Sequence, residues 1–74
     1  MLFLIKPIED WHPWHDRAFV FVVRASSEVH ARQIASEGAG DEGEDVWLDA
    51  AKTQCEVIDP NGPPQVLCRD FASA

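Results

Sequence analysis

Seventy-four residues are enough for one small domain and too few for a second hydrophobic core. Thirteen acidic against six basic residues leave a formal net charge of −7, which repels nucleic-acid backbones and anionic membrane surfaces alike. The 46% apolar content is that of a globular chain. The composition therefore leaves no basic grip on DNA or RNA, while a basic protein partner, or imitation of a phosphate backbone by carboxylates, stays open.

The opening MLFLIKP has an apolar run too short for a secretory signal and no basic segment ahead of it. No stretch approaches the ~18 apolar residues that span a bilayer. The expected location is cytoplasmic, where Cys55 and Cys68 should be thiols, and neither belongs to a CxxC pair. Residues 2 to 8, LFLIKPI, read as a strand, with Pro7 marking its end or an edge position.

Residues 9 to 17 read EDWHPWHDR. His12 and His15 stand at HxxH spacing, and Glu9, Asp10 and Asp16 offer oxygen ligands, so a divalent-metal site is one reading. Against it, Pro13 pushes His12 out of helical geometry, and His30 is the only other histidine available to complete a site. The simpler reading is a connection between two strands, polar where wet and aromatic where it folds back. Trp11 and Trp14 are large apolar bodies for a loop to carry, which makes them candidate interaction residues.

AFVFVVRA at 18 to 25 is the strongest strand signal, with Phe19, Phe21 and Val23 on one face and Ala18, Val20 and Val22 on the other, both apolar. SSEVHARQIASEGAG then reads as a helix of about three turns: Ser26 as N-cap, Glu28 in the first turn, and Gly38 or Gly40 as terminator. Its apolar stripe is Ala31, Ile34 and Ala35, which puts Arg32 on the solvent side.

DEGEDVWLDA at 41 to 50 is expected to be a structured loop with at most one helical turn, presenting Trp47 and Leu48. Its carboxylates lack the alternate-position spacing and terminal glutamate of a calcium loop. An acidic surface for a basic partner, formed by Asp41, Glu42, Glu44 and Asp45 around Trp47, is the functional alternative to a solvated loop.

TQCEVI, DPNGPP and QVLCRDF, from 53 to 71, suggest a terminal hairpin with a type I turn at Asp59-Pro60-Asn61-Gly62. Pro63 and Pro64 delay ladder bonding until Gln65. A register centred between Asn61 and Gly62 sets Cys55 opposite Cys68; a three-residue turn sets Cys55 opposite Leu67 and separates the thiols. No GxSxG occurs, neither cysteine has a histidine beside it in sequence, and GAGDEG lacks the Lys-Ser or Lys-Thr of a phosphate loop. No enzymatic activity and no cofactor are expected.

The order strand, aromatic loop, strand and then RASSEVHAR as a helix start, with GDEG at 40 to 43, WLD at 47 to 49 and RDF at 69 to 71, resembles small uncharacterised bacterial and prophage-encoded proteins. The resemblance implies a compact α+β domain and brings no activity or site residue.

The expected architecture is a single α+β domain over 1 to 74 of order ββαββ, an antiparallel sheet of about four strands with one helix on one face. That helix offers only Ala31, Ile34 and Ala35 against one side of a sheet whose second strand is apolar on both, so something else must cover the other side: Trp11, Trp14 and Trp47, a second copy, or another partner. The expected function is a non-enzymatic protein-interaction module, with a homodimer among its expected partners, that uses Trp11, Trp14, Trp47, Asp41, Glu42, Glu44 and Asp45. The alternatives are metal binding by His12 and His15, or an acidic nucleic-acid mimic.

Overall fold

The first strand, β1 (Leu2–Pro7), lies at the centre of the sheet, with β2 (Phe21–Arg24) on one side and β3 (Thr53–Ile58) on the other, both antiparallel to it. Two helices, α1 (Glu28–Glu37) and α2 (Asp45–Leu48), connect β2 to β3. The computed structural model describes residues 1–8 and 17–69.

Backbone polarity explains how a strand ending in proline can be central. Ala25 N–H donates to Met1 O at 2.9 Å and Ile8 N–H to Lys52 O at 3.0 Å. In an antiparallel ladder these two bonds fix which residues face which neighbour. Odd-numbered residues of β1 bond toward β2, and even-numbered ones toward β3. The donor that Pro7 lacks would therefore point to the β2 side, where pairing has already stopped at Ile5↔Phe21.

The expected ββαββ order with about four strands and one helix is corrected to a three-stranded sheet with two helices among the described residues. The terminal turn does form: Gly62 N–H reaches Asp59 O at 3.1 Å and Asn61 N–H reaches Asp59 Oδ1 at 2.9 Å. The returning chain, however, adds no strand over residues 63 to 69. Adjacent Pro63 and Pro64 supply no donors where pairing would begin. At the far end of the would-be ladder, the outward N–H of Thr53 is bonded to Asp49 O and its outward carbonyl to Arg32. Neither hairpin register occurs: Cys55 lies opposite Ile5 of β1, and Cys68 is exposed. The last part of the expected strand, from Asp70, lies outside the described residues.

Since β2 and β3 both oppose β1, they run parallel to each other and the chain between them must cross the sheet. The helices make that crossing on one face. Ser27, one residue later than expected, caps α1 by accepting from His30 N–H at 3.2 Å, while Ser26 Oγ lies 3.2 Å from His30 Nδ1. Ser27→Ala should cost about 1 kcal/mol, read as a fall in the thermal midpoint of about 4–8 °C for a domain of this size. Gly38 ends the helix with its N–H on Ala35 O, and a Cβ there would sit 2.9 Å from Phe21 Cε1. A larger residue there would have to displace the Phe21 ring.

Phe3, Ile5, Val23, Ala25, Ala31, Ala35 and Trp47 form the core, with Phe21, Val46 and Cys55 packed at its margin. Small alanines on α1 bring the helix close to β1 and β2, and the remaining volume is filled by the indole of Trp47, whose exposure is 0%. Phe21 meets it edge-on, with centroids 4.6 Å apart and planes at 85°. The buried side of α1 is Ala31, Arg32, Ala35 and Ser36, so the expected stripe is rotated about the axis: Ile34 is exposed, and Arg32, placed in water by its sequence spacing, is interior. The reason is α2, which with the start of β3 walls that flank of the helix.

On the opposite face of the sheet, Leu4 is buried, Leu2 and Ile58 are half-buried, and Val22 is exposed. These alternate with Lys6, Arg24, Gln54 and Glu56. Lys6 Nζ lies 3.9 Å from Glu56 Oε1, and Gln54 donates to the same oxygen at 2.7 Å. The expectation of a second strand apolar on both faces is corrected: β2 starts at Phe21, which leaves only Val22 as its apolar residue on this side, and the apolar residues here are otherwise Leu2, Leu4 and Ile58 of β1 and β3.

Candidate functional site

Of the residues expected to form an interaction surface, Trp11 and Trp14 lie outside the described residues, as do His12 and His15 of the candidate metal site. Among the described residues no group of three or more His, Cys, Asp or Glu side chains is placed to hold a metal ion. Asp41, Glu44 and Asp45 are exposed, whereas Trp47 and Glu42 are interior. At 0% exposure Trp47 offers a partner no surface.

Glu42 organises the loop that leads into α2. Its Oε2 accepts from Trp47 Nε1 at 2.7 Å and from Ala18 N–H at 3.2 Å, and its Oε1 accepts from Gly40 N–H at 2.9 Å. Burial alone would raise this carboxyl, but the indole donor, its own N–H and those of Ala18 and Gly40 outweigh it, and the pKa lies below the ordinary 4.5. A depressed folded pKa means that this contribution to stability is complete above the unfolded value of about 4.5 and is lost as pH falls through the folded value. Glu42→Gln should be less stable at neutral pH and show a flatter decline below about pH 4.5. Thermal midpoints of both proteins between neutral and strongly acidic pH check this, and parallel curves would reject it.

The second polar cluster surrounds Arg32, 7% exposed. Its guanidinium donates to Thr53 Oγ1, to Trp47 O at 3.1 Å and to Thr53 O at 3.1 Å, and its Nε to Glu28 Oε2 at 2.9 Å. Thr53 Oγ1 lies 3.1 Å from Asp49 O. One cation thus ties α1, the end of α2 and the start of β3. Sequence reasoning missed this cluster. The Glu28–Arg32 spacing of i,i+4 announces the ion pair but carries no sign of burial.

The accessible chemistry lies along β3. Ladder alternation sends the N–H and C=O groups of Gln54, Glu56 and Ile58 to β1, and those of Thr53, Cys55 and Val57 outward. Arg32 and Asp49 occupy the Thr53 groups, which leaves Cys55 and Val57 at an edge where no strand is paired among the described residues. Val57 is 57% exposed. It borders an open groove of about 410 Å³ lined by Met1, Leu2, Val57, Ile58, Asp59 and Pro60. A second groove of about 410 Å³ lies between Leu4, Glu56 and Ile58 and the returning segment at Pro63, Pro64 and Leu67.

Cys55 is not an activated nucleophile on this edge. Burial and the carboxylates of Glu28 and Glu56 push the Cys55 thiol up, against a lowering by Arg32. It stays protonated near neutral pH. Among the described residues no helix is long and apolar enough to cross a membrane. No family model matches the chain, and no curated protein and no solved structure is significantly similar to it.

Proposed function

We propose that this domain is a non-enzymatic protein-binding module whose contact surface is the free edge of β3 and the groove beside it. The observation that carries this reading is the exposure of Val57 and Met1, 57% and 65%, in a groove that they line together with Leu2, Ile58, Asp59 and Pro60. A strand edge unpaired among the described residues and bordered by apolar side chains offers both main-chain hydrogen bonds and a hydrophobic anchor, the two elements of strand-addition binding. The reading is supported by the engagement of Glu42 and Arg32, the buried polar groups nearest the core, by structural partners.

Val57→Lys tests the reading. Val57 is solvent-exposed at the sheet edge, so the variant should keep its thermal midpoint to within about 0.5 kcal/mol of stability. A peptide-display selection on the wild-type domain should enrich ligands that the variant no longer holds. Enrichment of no ligand, or of ligands that Val57→Lys holds equally well, would remove the reading.

A further inference from the structure

We infer that the β3 edge takes an extended segment of a basic partner protein, one that alternates apolar residues with Lys or Arg and adds as a fourth strand alongside Cys55–Ile58. This rests on the protein-binding reading above and names the partner's chemistry and its mode of docking.

The window is bounded on both sides. Toward the start of β3 the outward groups of Thr53 are taken by Asp49 O and the Arg32 guanidinium, so an added strand must stop short of it. Beyond Ile58 the chain turns at Asp59, and Pro60 has no donor to give. Between these limits Cys55 and Val57 present their N–H and C=O groups outward, enough for a short stretch of ladder.

The side chains along the window select the partner's sequence. Cys55 and Val57 share the helix-side face, because they lie opposite Ile5 and Phe3, two core residues. Glu56 points to the other face, where its carboxylate accepts from Gln54 and lies 3.9 Å from Lys6 through Oε1 while the side chain stays 45% exposed. A strand paired here sets apolar residues beside Val57 and a residue beside Glu56 that should be basic. At the far end of the window Asp59 favours a cation, whereas at the near end the Glu28 carboxylate is already paired with Arg32. The net charge of −7 adds a long-range attraction for such a segment. A second copy of this chain is the poorer occupant: it brings −7 toward −7, and two-fold pairing centred on Glu56 would oppose two identical carboxylates.

The test uses the full chain and the blocked probe peptide Lys-Val-Lys-Val-Lys, with Glu-Val-Glu-Val-Glu and a main-chain N-methylated form of the first as controls. Amide hydrogen exchange followed by NMR should show new protection at Cys55 and Val57 in the presence of the lysine peptide. N-methylation should weaken binding about tenfold, the loss of roughly one to two net hydrogen bonds. The glutamate peptide should not bind, Glu56→Gln should weaken the lysine peptide, and added salt should do the same. Binding that is lost in Val57→Lys but brings no amide protection and ignores N-methylation would overturn strand addition while leaving the protein-binding reading intact. Equal binding of both peptides would overturn the charge selection. A wild-type dimer in sedimentation that Val57→Lys dissociates would assign the edge to a second copy and overturn the basic partner. Absence of any peptide response at Val57, with no enriched ligand in the display selection, would remove both conclusions together.

Discussion

Trp47→Ala should abolish most of the stability of this domain. The substitution removes the largest fully buried side chain and leaves a void between Phe21, Ala31 and Ala35, which the small residues of α1 cannot fill by relaxing. Truncations of this kind cost about 3–5 kcal/mol. The whole chain has roughly 4–11 kcal/mol at its disposal, at the usual ~0.05–0.15 kcal/mol per residue. Glu42 also loses its shortest hydrogen bond, from the indole at 2.7 Å, so a buried carboxylate becomes under-satisfied. Urea unfolding followed by far-UV circular dichroism should show a midpoint shifted to low denaturant or no cooperative transition. Trp47→Phe separates the two contributions, since it keeps most of the apolar volume and removes only the donor. Its loss should be about 1–3 kcal/mol, the range for an orphaned buried acceptor. A Trp47→Ala protein with wild-type stability would mean that the indole does not plug the core.

Arg32→Met should cost about 2–4 kcal/mol, because it strands the carbonyls of Trp47 and Thr53 without a donor while largely preserving the volume of the side chain. Arg32→Lys should fall between the two, since a single ammonium cannot span acceptors on both α2 and β3 as the planar fork does. A double-mutant cycle with Thr53→Val locates the energy. If the guanidinium acts through the Thr53 hydroxyl, the second substitution should cost less in the Arg32→Met background than in the wild type, the remainder being the hydroxyl's bond to Asp49 O, whereas full additivity would show that the two side chains contribute independently. The comparison is made by urea unfolding at neutral pH.

The parts of this fold legible in the sequence are those set by short-range signals. Strand β1, the strand around Phe21 and Val23, the start of α1 at the paired serines, its stop at Gly38 and the Asp59 turn each follow from a few adjacent residues. The one-residue displacement of the cap, from Ser26 to Ser27, reflects two neighbouring serines of equal capping ability. The missing fourth strand had a local warning in Pro63-Pro64, but the other half of the reason is the blocking of Thr53 by Arg32, which comes from 21 residues away. Val57 as a candidate contact residue is visible only once its edge position is known, since any apolar strand residue looks the same from composition.

By itself the sequence determined an acidic α+β chain and several of its local elements, though not the order ββαββ it suggested, because charge, composition, capping and turn chemistry act over a few residues. Only the tertiary structure decided that Trp47 and Glu42 lie inside rather than on a surface, that Arg32 is a buried tie and not a solvated charge, and that β1 is the central strand. Each depends on partners distant in sequence: Trp47 on Phe21, Arg32 on residues 15 and 21 positions away, β1 on a crossover through both helices. Burial of a polar or aromatic side chain is a property of the packed neighbours that satisfy it, and the helical period of α1 alone, which marked Ile34 as inside and Arg32 as outside, carries no information about α2 closing over its flank.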